Sequence, residues 1–400
     1  MSDDSVAILL LCAGAGVERR LGTAPPLSNQ EWTNLAEQIR QSSIERPGRL
    51  LSMSAEEIQT KMGLPRAESE RIARLLSRGG QLAMEIDRWS SAGMWARTRA
   101  DAEYPGSLKR LLRRAAPAAL FGIGDLGLLE SEGPGLVVSP GAEDAERFGR
   151  MVGAASAEAG LTMKTPGAAG SETQAAQECL TAMGRVVLVG VPPERALGQR
   201  VRREAVMDGR LCMISTRAPG SRPLPIGERI RLVAAICQTL LIAPPRGAWA
   251  QSRFLPRHGS GPPLFVWASD ESGNGAKALL ARGAKQIPRN ASKTKAEFRD
   301  WLRWVTFADV DKDPSEGVRP NAIGRSRLYA LFIEALSSHG ESFSPREVAT
   351  ELGLMIEQAQ AWLDRAVREG VAEQVSGRYR VALQSSLLPL IDPDRGVTSR

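Results

Sequence analysis

The chain has 400 residues, of which 42% are hydrophobic and 24% are charged, and its formal net charge is +7. This length predicts two or three domains of roughly 100–200 residues, each large enough to bury a core. The basic excess favours anionic partners such as nucleic acid or nucleotides. The same charge is explained equally well if arginine is simply frequent in this protein and no anionic partner is involved.

The chain has few residues that suit metal binding or acid–base catalysis. Its cysteines and histidines are Cys12, Cys179, Cys212, Cys237, His258 and His339. No two cysteines have Cys-x-x-Cys spacing, and two histidines are too few for a His-based zinc site or a typical catalytic triad. We therefore expect no metal, no cofactor and no catalytic residue, in a chain that is not an enzyme.

An apolar run covers residues 6–13, directly after Asp3 and Asp4. A signal peptide needs a basic start, and a membrane span needs about 18 or more apolar residues. This run has neither property, and we expect it to form a buried first helix. The sequence thus predicts a soluble, cytoplasmic protein without a membrane partner.

Residues 28–100 have helical patterns, and we assign 1–100 to a helical N-terminal domain. Ser28 and Ser54 are predicted helix caps, and Gly63 is predicted to end the second helix. A third helix is predicted from Ile72 to Trp89. A packed helical cap explains this region better than a unit that binds the DNA backbone.

Between residues 117 and 288, short apolar runs alternate with helical patterns. The runs cover 119–121, 136–138, 186–189, 212–214, 240–242 and 264–266. Short uninterrupted apolar strands are typical of a sheet that is buried on both faces. We predict an α/β fold with a doubly wound, mostly parallel, Rossmann-like sheet within 101–288, whose ligands bind in the loops after the strands.

The C-terminal part divides into a linker over 289–324, a unit over 325–384 and a tail over 385–400. The linker is predicted to contain one helix, around 298–305. Three helical patterns followed by a hairpin signal predict a winged helix over 325–384. Its third helix mixes acidic and basic residues, so protein interaction suits it at least as well as DNA reading.

Four segments together resemble the DprA/Smf family of DNA-processing proteins. Asp101-Ala-Glu-Tyr-Pro-Gly-Ser-Leu108 is similar to the Asp-x-x-Tyr-Pro-x-x-Leu segment before the family's core. Residues 117–125 resemble the family's Pro-x-x-Leu-[Phe/Tyr]-x-x-Gly-[Asn/Asp] strand. Residues 275–284 resemble the segment at the end of the family's core. Residues 247–250, Gly-Ala-Trp-Ala, are similar to a divergent branch. The resemblance covers roughly residues 30–288.

The resemblance implies a Rossmann-like core followed by a winged helix. It also implies single-stranded DNA binding, self-association as a homodimer and handover of DNA to a RecA-type recombinase. Two alternatives stay open, namely a sensor of a nucleotide or nucleotide-derived signal on the same core, and a scaffold that has lost its ligand.

Three positions depart from the family's binding loops. Glu143 stands where the family places a phosphate-facing arginine, and a carboxylate repels a phosphate. Pro166 removes a backbone donor from the second loop. Only Arg229 remains basic in the segment that aligns with the family's Arg-Asn-Arg. These departures predict a partly rewritten binding pocket.

The predicted DNA- or phosphate-binding residues are Arg217, Arg222, Arg229, Arg231, Lys277, Gly141, Gly170, Gly247 and Gly275. The first three are the strongest candidates, because they lie in or beside loops that follow strands, where an arginine can clamp a phosphate. The helix over 195–210 is also rich in arginine, and a solvated, salt-bridged face explains it equally well.

Overall fold

The protein is described by a computed structural model, which covers residues 1–13, 24–139, 141–142, 144–167, 170–191, 200–247, 249–256, 260–267, 273–288, 294–307, 344–351, 356–368, 372–375 and 378–381. The chain divides into two compact units, Met1–Thr306 and Phe307–Arg400. No helix among the described residues is both long and apolar enough to cross a lipid bilayer.

The first unit combines helices with one large sheet. Its helices are α1 (Asp3–Cys12), α2 (Asn29–Gln41), α3 (Ala55–Met62), α4 (Arg66–Leu76), α5 (Gly79–Ser91), α6 (Gly106–Leu112), α7 (Ala145–Glu158), α8 (Ser171–Thr181), α9 (Arg200–Met207), α10 (Ile226–Ile236), α11 (Asn274–Leu280) and α12 (Lys295–Phe307). Its strands are β1 (Met94–Thr98), β2 (Ala119–Gly124), β3 (Pro134–Val138), β4 (Thr162–Thr165), β5 (Arg185–Val189), β6 (Leu211–Ser215), β7 (Thr239–Ala243), β8 (Leu264–Val266) and β9 (Lys285–Gln286).

The sheet confirms the predicted fold class. Its strand order is β1-β2-β6-β5-β4-β3-β7-β8-β9. Strands β3 to β9 pair in parallel, whereas β1 pairs with β2, and β2 with β6, in antiparallel fashion. From β3 the chain winds outward through β4, β5 and β6, and it then returns to β7 on the other side of β3. The boundary between β3 and β7 is therefore the topological switch point.

The first helix is buried, as predicted. Ser2 caps it by accepting a hydrogen bond from the backbone N–H of Ser5, and five consecutive residues from Ala7 to Leu11 are at most 4% exposed. A helix that is apolar on all sides must be surrounded by protein. Here α1 lies in a core made by the N-terminal helices together with β1 and β2.

Two predictions for residues 28–100 are wrong in detail. The single helix predicted from Ile72 to Trp89 is two helices, α4 and α5, and the break falls beside Gly79 and Gly80. Glycine costs about 1 kcal/mol in a helix interior, so a pair of glycines favours a helix end. The chain then leaves the helical region at Gly93 (φ +72°) and forms strand β1, where helix had been predicted.

Strand β4 was missed by the sequence analysis because its four residues, Thr-Met-Lys-Thr, do not form an apolar run. All four are buried, including Lys164 at 0% exposure.

The helix predicted within the linker is present as α12, and its Trp301 packs edge-on against Phe265 of β8 at 5.3 Å between ring centroids. The predicted domain boundaries themselves stay predictions.

The Asp-x-x-Tyr-Pro segment holds the junction between the N-terminal helices and the sheet. The Asp101 carboxylate accepts hydrogen bonds from the Ser5 hydroxyl (2.6 Å) and from the Thr98 backbone N–H (2.6 Å). Burial opposes the ionisation of Asp101, yet these hydrogen bonds outweigh it and hold its pKa below the ordinary value. The Tyr104 hydroxyl donates to the Pro117 carbonyl oxygen at 2.8 Å, just before β2.

The second unit is described in part. It contains α13 (Pro345–Glu351), α14 (Ile356–Arg368) and an antiparallel pair, β10 (Ala372–Val375) with β11 (Arg378–Val381). The buried Tyr379 donates a hydrogen bond to Asp364 at 2.7 Å and thereby ties β11 to α14. The first helix of the predicted winged helix and the 385–400 tail lie outside the described residues, so the winged helix stays a prediction.

Lys164 is the least expected residue of the core. Its ammonium group donates a hydrogen bond to the Ser131 carbonyl oxygen, and no ion pair with a carboxylate is formed among the described residues. Burial lowers the pKa of Lys164 from its ordinary 10.5 to about 8, although the thiol of Cys237 and the carboxylates of Glu130 and Glu132 partly oppose the shift. A buried cation of this kind costs stability while it is charged.

We predict that the free energy of unfolding of the wild type, compared with that of Lys164→Met at each pH, rises between pH 8 and pH 10.5, because the unfolded chain then keeps a proton that folded Lys164 has lost. Below pH 8 the full penalty is present, and above pH 10.5 it is gone. Relative to Lys164→Met, the rise should be about 3 kcal/mol. Urea denaturation across this pH range measures it.

The exposed Lys61 of α3 provides the control, since Lys61→Met should follow the wild-type curve. Parallel curves for the wild type and Lys164→Met would contradict the prediction.

Candidate nucleic-acid interface

The loops after β3 and β7 meet directly at the switch point. The Ser139 backbone N–H donates to the Ala243 carbonyl oxygen at 2.9 Å, which continues the ladder by one residue. Beyond it, Ala142 and Pro245 form an isolated antiparallel bridge. Gly141 lies between these contacts with φ +75°, and a Cβ atom there would meet only open space. Backbone conformation, rather than close packing, therefore explains this glycine.

The Ser139 hydroxyl is an unusual feature of this edge. Ser139 is 4% exposed, and its Oγ is one of the few buried side-chain polar atoms of the described residues that have no hydrogen-bond partner. Buried hydroxyls are normally hydrogen-bonded, because an unpaired one costs about 1–3 kcal/mol. No sequence pattern indicates this unpaired hydroxyl, since a serine after an apolar strand is ordinary.

The start of α11 is packed tightly against the loop after β7. A Cβ atom at Gly275 would collide with the Pro245 carbonyl oxygen, and one at Gly273 with that of Arg246. At Gly247 a Cβ atom would meet nothing. Close packing therefore accounts for Gly275 without a ligand. The loop residues 270–272 before this helix lie outside the described residues.

The loop after β4 leads into α8 through Gly170, which has φ +61°. Glu172 in the first turn of α8 is 3% exposed, and its carboxylate accepts a hydrogen bond from the Val138 backbone N–H at 3.0 Å. A carboxylate is thus buried beside the end of β3. Pro166 precedes Gly167 in this loop, and residues 168–169, like Glu143 in the loop after β3, lie outside the described residues.

Arg229 lies over the end of β5. It belongs to the first turn of α10, and its Nε donates to the Leu224 carbonyl oxygen at 2.7 Å. Its side chain crosses Gly190, where a Cβ atom would come within 2.5 Å of the arginine Cγ. Burial lowers the pKa of Arg229, and the Glu172 carboxylate opposes that shift. The guanidinium is therefore held in place at the carboxyl edge of the sheet.

Arg217 and Arg222 share the loop after β6. The Arg217 backbone N–H donates to the Ser215 hydroxyl at 3.1 Å, and its Nη1 lies 3.5 Å from the Arg222 carbonyl oxygen. Arg217 is half-buried and Arg222 is exposed. Since β6 is the neighbour of β5, the structure brings Arg217, Arg222 and Arg229 to adjacent strand ends.

The remaining predicted residues lie elsewhere. Arg231 is exposed on α10 with its guanidinium 5.9 Å from the Phe254 ring centroid, and Lys277 is exposed on α11. The predicted glycines lie near β3, β4 and β7. Strands β3 and β6 are three spacings apart in the sheet, which is roughly 14 Å at about 4.8 Å per strand. The predicted residues thus form a basic edge over β5 and β6 and a separate switch-point region.

No group of three or more metal-ligating side chains occurs within the described ranges. Trp267, at the end of β8, is half-buried and stacks on the buried Phe148 of α7 at 4.8 Å between ring centroids. This stacking makes Trp267 part of the packing between α7 and the end of β8.

Residues 95–252 match the family model described as DNA recombination-mediator protein A. Over this central segment the chain is similar to the DprA family. The match begins in β1 and ends after β7, so this DprA-like core includes the switch point and the basic edge. No curated protein sequence matches the chain.

Two solved structures are similar to the chain. DNA processing protein A (DprA) from Streptococcus pneumoniae has 18% identity and a TM-score of 0.45, over 69% of this chain and 98% of that one. DNA processing protein A from Helicobacter pylori, in a structure concerned with its single-stranded DNA binding mode, has 19% identity and a TM-score of 0.40, over 52% of this chain and 95% of that one.

We predict that Gly190→Ala destabilises the fold more than Gly209→Ala. Both glycines have positive φ, +79° and +69°, so both alanine variants pay a backbone cost of about 1–2 kcal/mol. Only the Cβ at position 190 also displaces Arg229. The hydrogen bond from Arg229 to Leu224 is then lost, which should destabilise Gly190→Ala by about 1 kcal/mol more than Gly209→Ala.

Urea denaturation of the single variants and of Gly190→Ala with Arg229→Ala measures this coupling. The extra loss should disappear in the double variant. Strictly additive effects would show that Gly190 and Arg229 do not interact.

Proposed function

We propose that this chain binds single-stranded DNA at the carboxyl edge of its DprA-like core and serves DNA processing as an accessory protein without chemistry of its own. The observation that carries the proposal is the basic edge formed by Arg217, Arg222 and Arg229 at the adjacent ends of β5 and β6. The match to a family named for DNA recombination mediation supports a DNA partner.

The physical case rests on how these arginines are held. A guanidinium can donate two parallel hydrogen bonds to one phosphate, and less entropy is lost when the side chain is already ordered. Arg229 is ordered by Leu224 and by its path across Gly190. Arg217 is half-buried in its loop, whereas Arg222 is exposed and free to adjust to the strand.

Acidic residues at the same edge set a limit on affinity. Glu172 is buried near Arg229, and Glu228 is exposed on the first turn of α10. Each carboxylate lowers the positive potential that a phosphate would meet. We therefore propose weaker DNA binding than a fully basic edge would give. Homodimer formation and handover of the strand to a RecA-type recombinase belong to the same proposal.

We predict that Arg217→Ala, Arg222→Ala and Arg229→Ala each weaken binding of a labelled oligonucleotide. If each arginine neutralises one phosphate, its loss should lower the slope of log affinity against log salt by roughly 0.7. Fluorescence anisotropy at several salt concentrations measures both quantities. Base stacking depends little on salt and would survive these changes.

Arg40→Ala serves as the control, because Arg40 is 73% exposed on α2 and pairs with Glu37 of its own helix. Unchanged affinity and slope in all three edge variants would remove the basic edge from consideration.

One observation favours the second candidate, a sensor of a nucleotide or nucleotide-derived signal. The unpartnered Ser139 hydroxyl lies at the switch point, the place where open α/β sheets bind small ligands. A bound ligand with a hydrogen-bonding group would satisfy it.

If this candidate is correct, nucleotides should raise the melting temperature of the wild type, and Ser139→Ala should reduce that shift. Thermal unfolding with a panel of mono-, di- and cyclic nucleotides tests it, with Ser131→Ala as a comparison because the Ser131 hydroxyl already donates to the Leu128 carbonyl oxygen. No shift with any nucleotide would dismiss the sensor.

A further inference from the structure

Helix α9 carries three arginines in its first four residues, and their surroundings differ. Arg200 is 85% exposed, and its Nε lies 2.7 Å from the Glu204 carboxylate. Arg203 is exposed. Arg202 is half-buried, yet its side chain forms no hydrogen bond and no ion pair with any described residue. The salt-bridged, solvated face that explains Arg200 thus does not explain Arg202.

The sequence shows why no acidic residue of the helix pairs with Arg202. Side chains three or four residues apart are neighbours on a helix, whereas those two apart are not. The residues after Arg202 at these distances are Ala205 and Val206, and those before it are Gln199 and Gly198. Glu204 is only two residues away, and it is already paired with Arg200.

The surroundings of Arg202 bury part of its side chain without completely enclosing its nitrogen atoms. Burial lowers the pKa of the Arg202 guanidinium, which shows that nearby protein disfavours the charge. However, none of its nitrogen atoms is among the fully buried, unpartnered polar atoms of the described residues. A half-buried arginine side chain has already lost part of the roughly 2 kcal/mol of rotamer entropy that binding an anion would otherwise cost.

The position of α9 in the sheet order puts Arg202 near the basic edge. Helix α9 follows β5 and precedes β6, and these two strands are parallel neighbours. The helix must therefore run back along the sheet, with its first turn at the carboxyl end of the strands. Arg217 follows β6 at that same end.

We propose that Arg202 binds a backbone phosphate of the same DNA strand and extends the basic edge from the loop after β6 onto α9. This inference rests on the proposed function, because it needs a single strand along the edge. Arg202 suits this contact better than its two neighbours do. Arg200 is paired with Glu204, and Arg203 is exposed and less ordered by its surroundings.

The test compares Arg202→Met with Arg203→Met on the full chain. Methionine keeps an apolar stem and removes the charge, and both variants change the net charge equally. We expect Arg202→Met to weaken binding of a labelled single-stranded oligonucleotide about tenfold and to lower the salt slope by roughly 0.7. Arg203→Met should change affinity by less than about twofold, through the long-range field alone.

A third variant separates charge from geometry. Arg202→Lys should keep the salt slope but recover only part of the affinity, because an ammonium cannot bind a phosphate through two parallel hydrogen bonds. Thermal unfolding of each variant confirms that it is folded before binding is compared. If the wild type binds and Arg202→Met and Arg203→Met weaken binding equally, the inference about Arg202 is wrong but the proposed function stands. A folded wild type that does not bind single-stranded DNA would overturn the proposed function and this inference together.

Discussion

The parallel pairing of β3 with β7 determines where this molecule can bind a ligand. Successive strands wind outward from β3 on one side and from β7 on the other, so the helices that connect them begin at the same edge. Every loop that follows a parallel strand therefore opens at that edge. The sheet is buried on both faces, and polar groups of the core consequently collect where its strands end.

The edge has two chemically different parts. Near β3 and β7 the backbone is closely packed, as the contacts of Gly273 and Gly275 with carbonyl oxygens show, and a single hydroxyl is unpartnered there. Over β5 and β6 the edge presents guanidinium groups, and the carboxylates near them are few. The guanidinium groups of the second part suit a polyanion, whereas the first part offers a hydroxyl that a hydrogen-bonding group of a ligand could satisfy.

The sequence was sufficient to predict the sheet, because its strands are continuous apolar runs and its helices have the 3.6-residue period. Predictions failed where tertiary contacts override local pattern. Strand β4 contains Lys164, whose buried position depends on the Ser131 carbonyl oxygen across the fold, and β1 is a strand only because β2 pairs with it. At the candidate site, arginines in loops after strands were identified from position alone. The unpaired state of Ser139 depends on neighbours that are distant in sequence, so no local pattern indicates it. For Arg202 the helix spacing excludes an acidic partner on α9, but the lack of a distant partner among the described residues is visible only in the structure.

The burial of α1 has a consequence for how the chain acquires its structure. The core around this helix includes Ala96, Phe121 and Ala218, and the Ser5 hydroxyl reaches Asp101, 96 residues away. Contacts between such distant positions form late, because the intervening chain must first be ordered. During synthesis, α1 therefore emerges long before the strands that cover it. The N-terminal helices can cover most of α1 soon after it is made, but the part of its core that contains Phe121 and Ala218 is completed only when residues beyond β6 have been made.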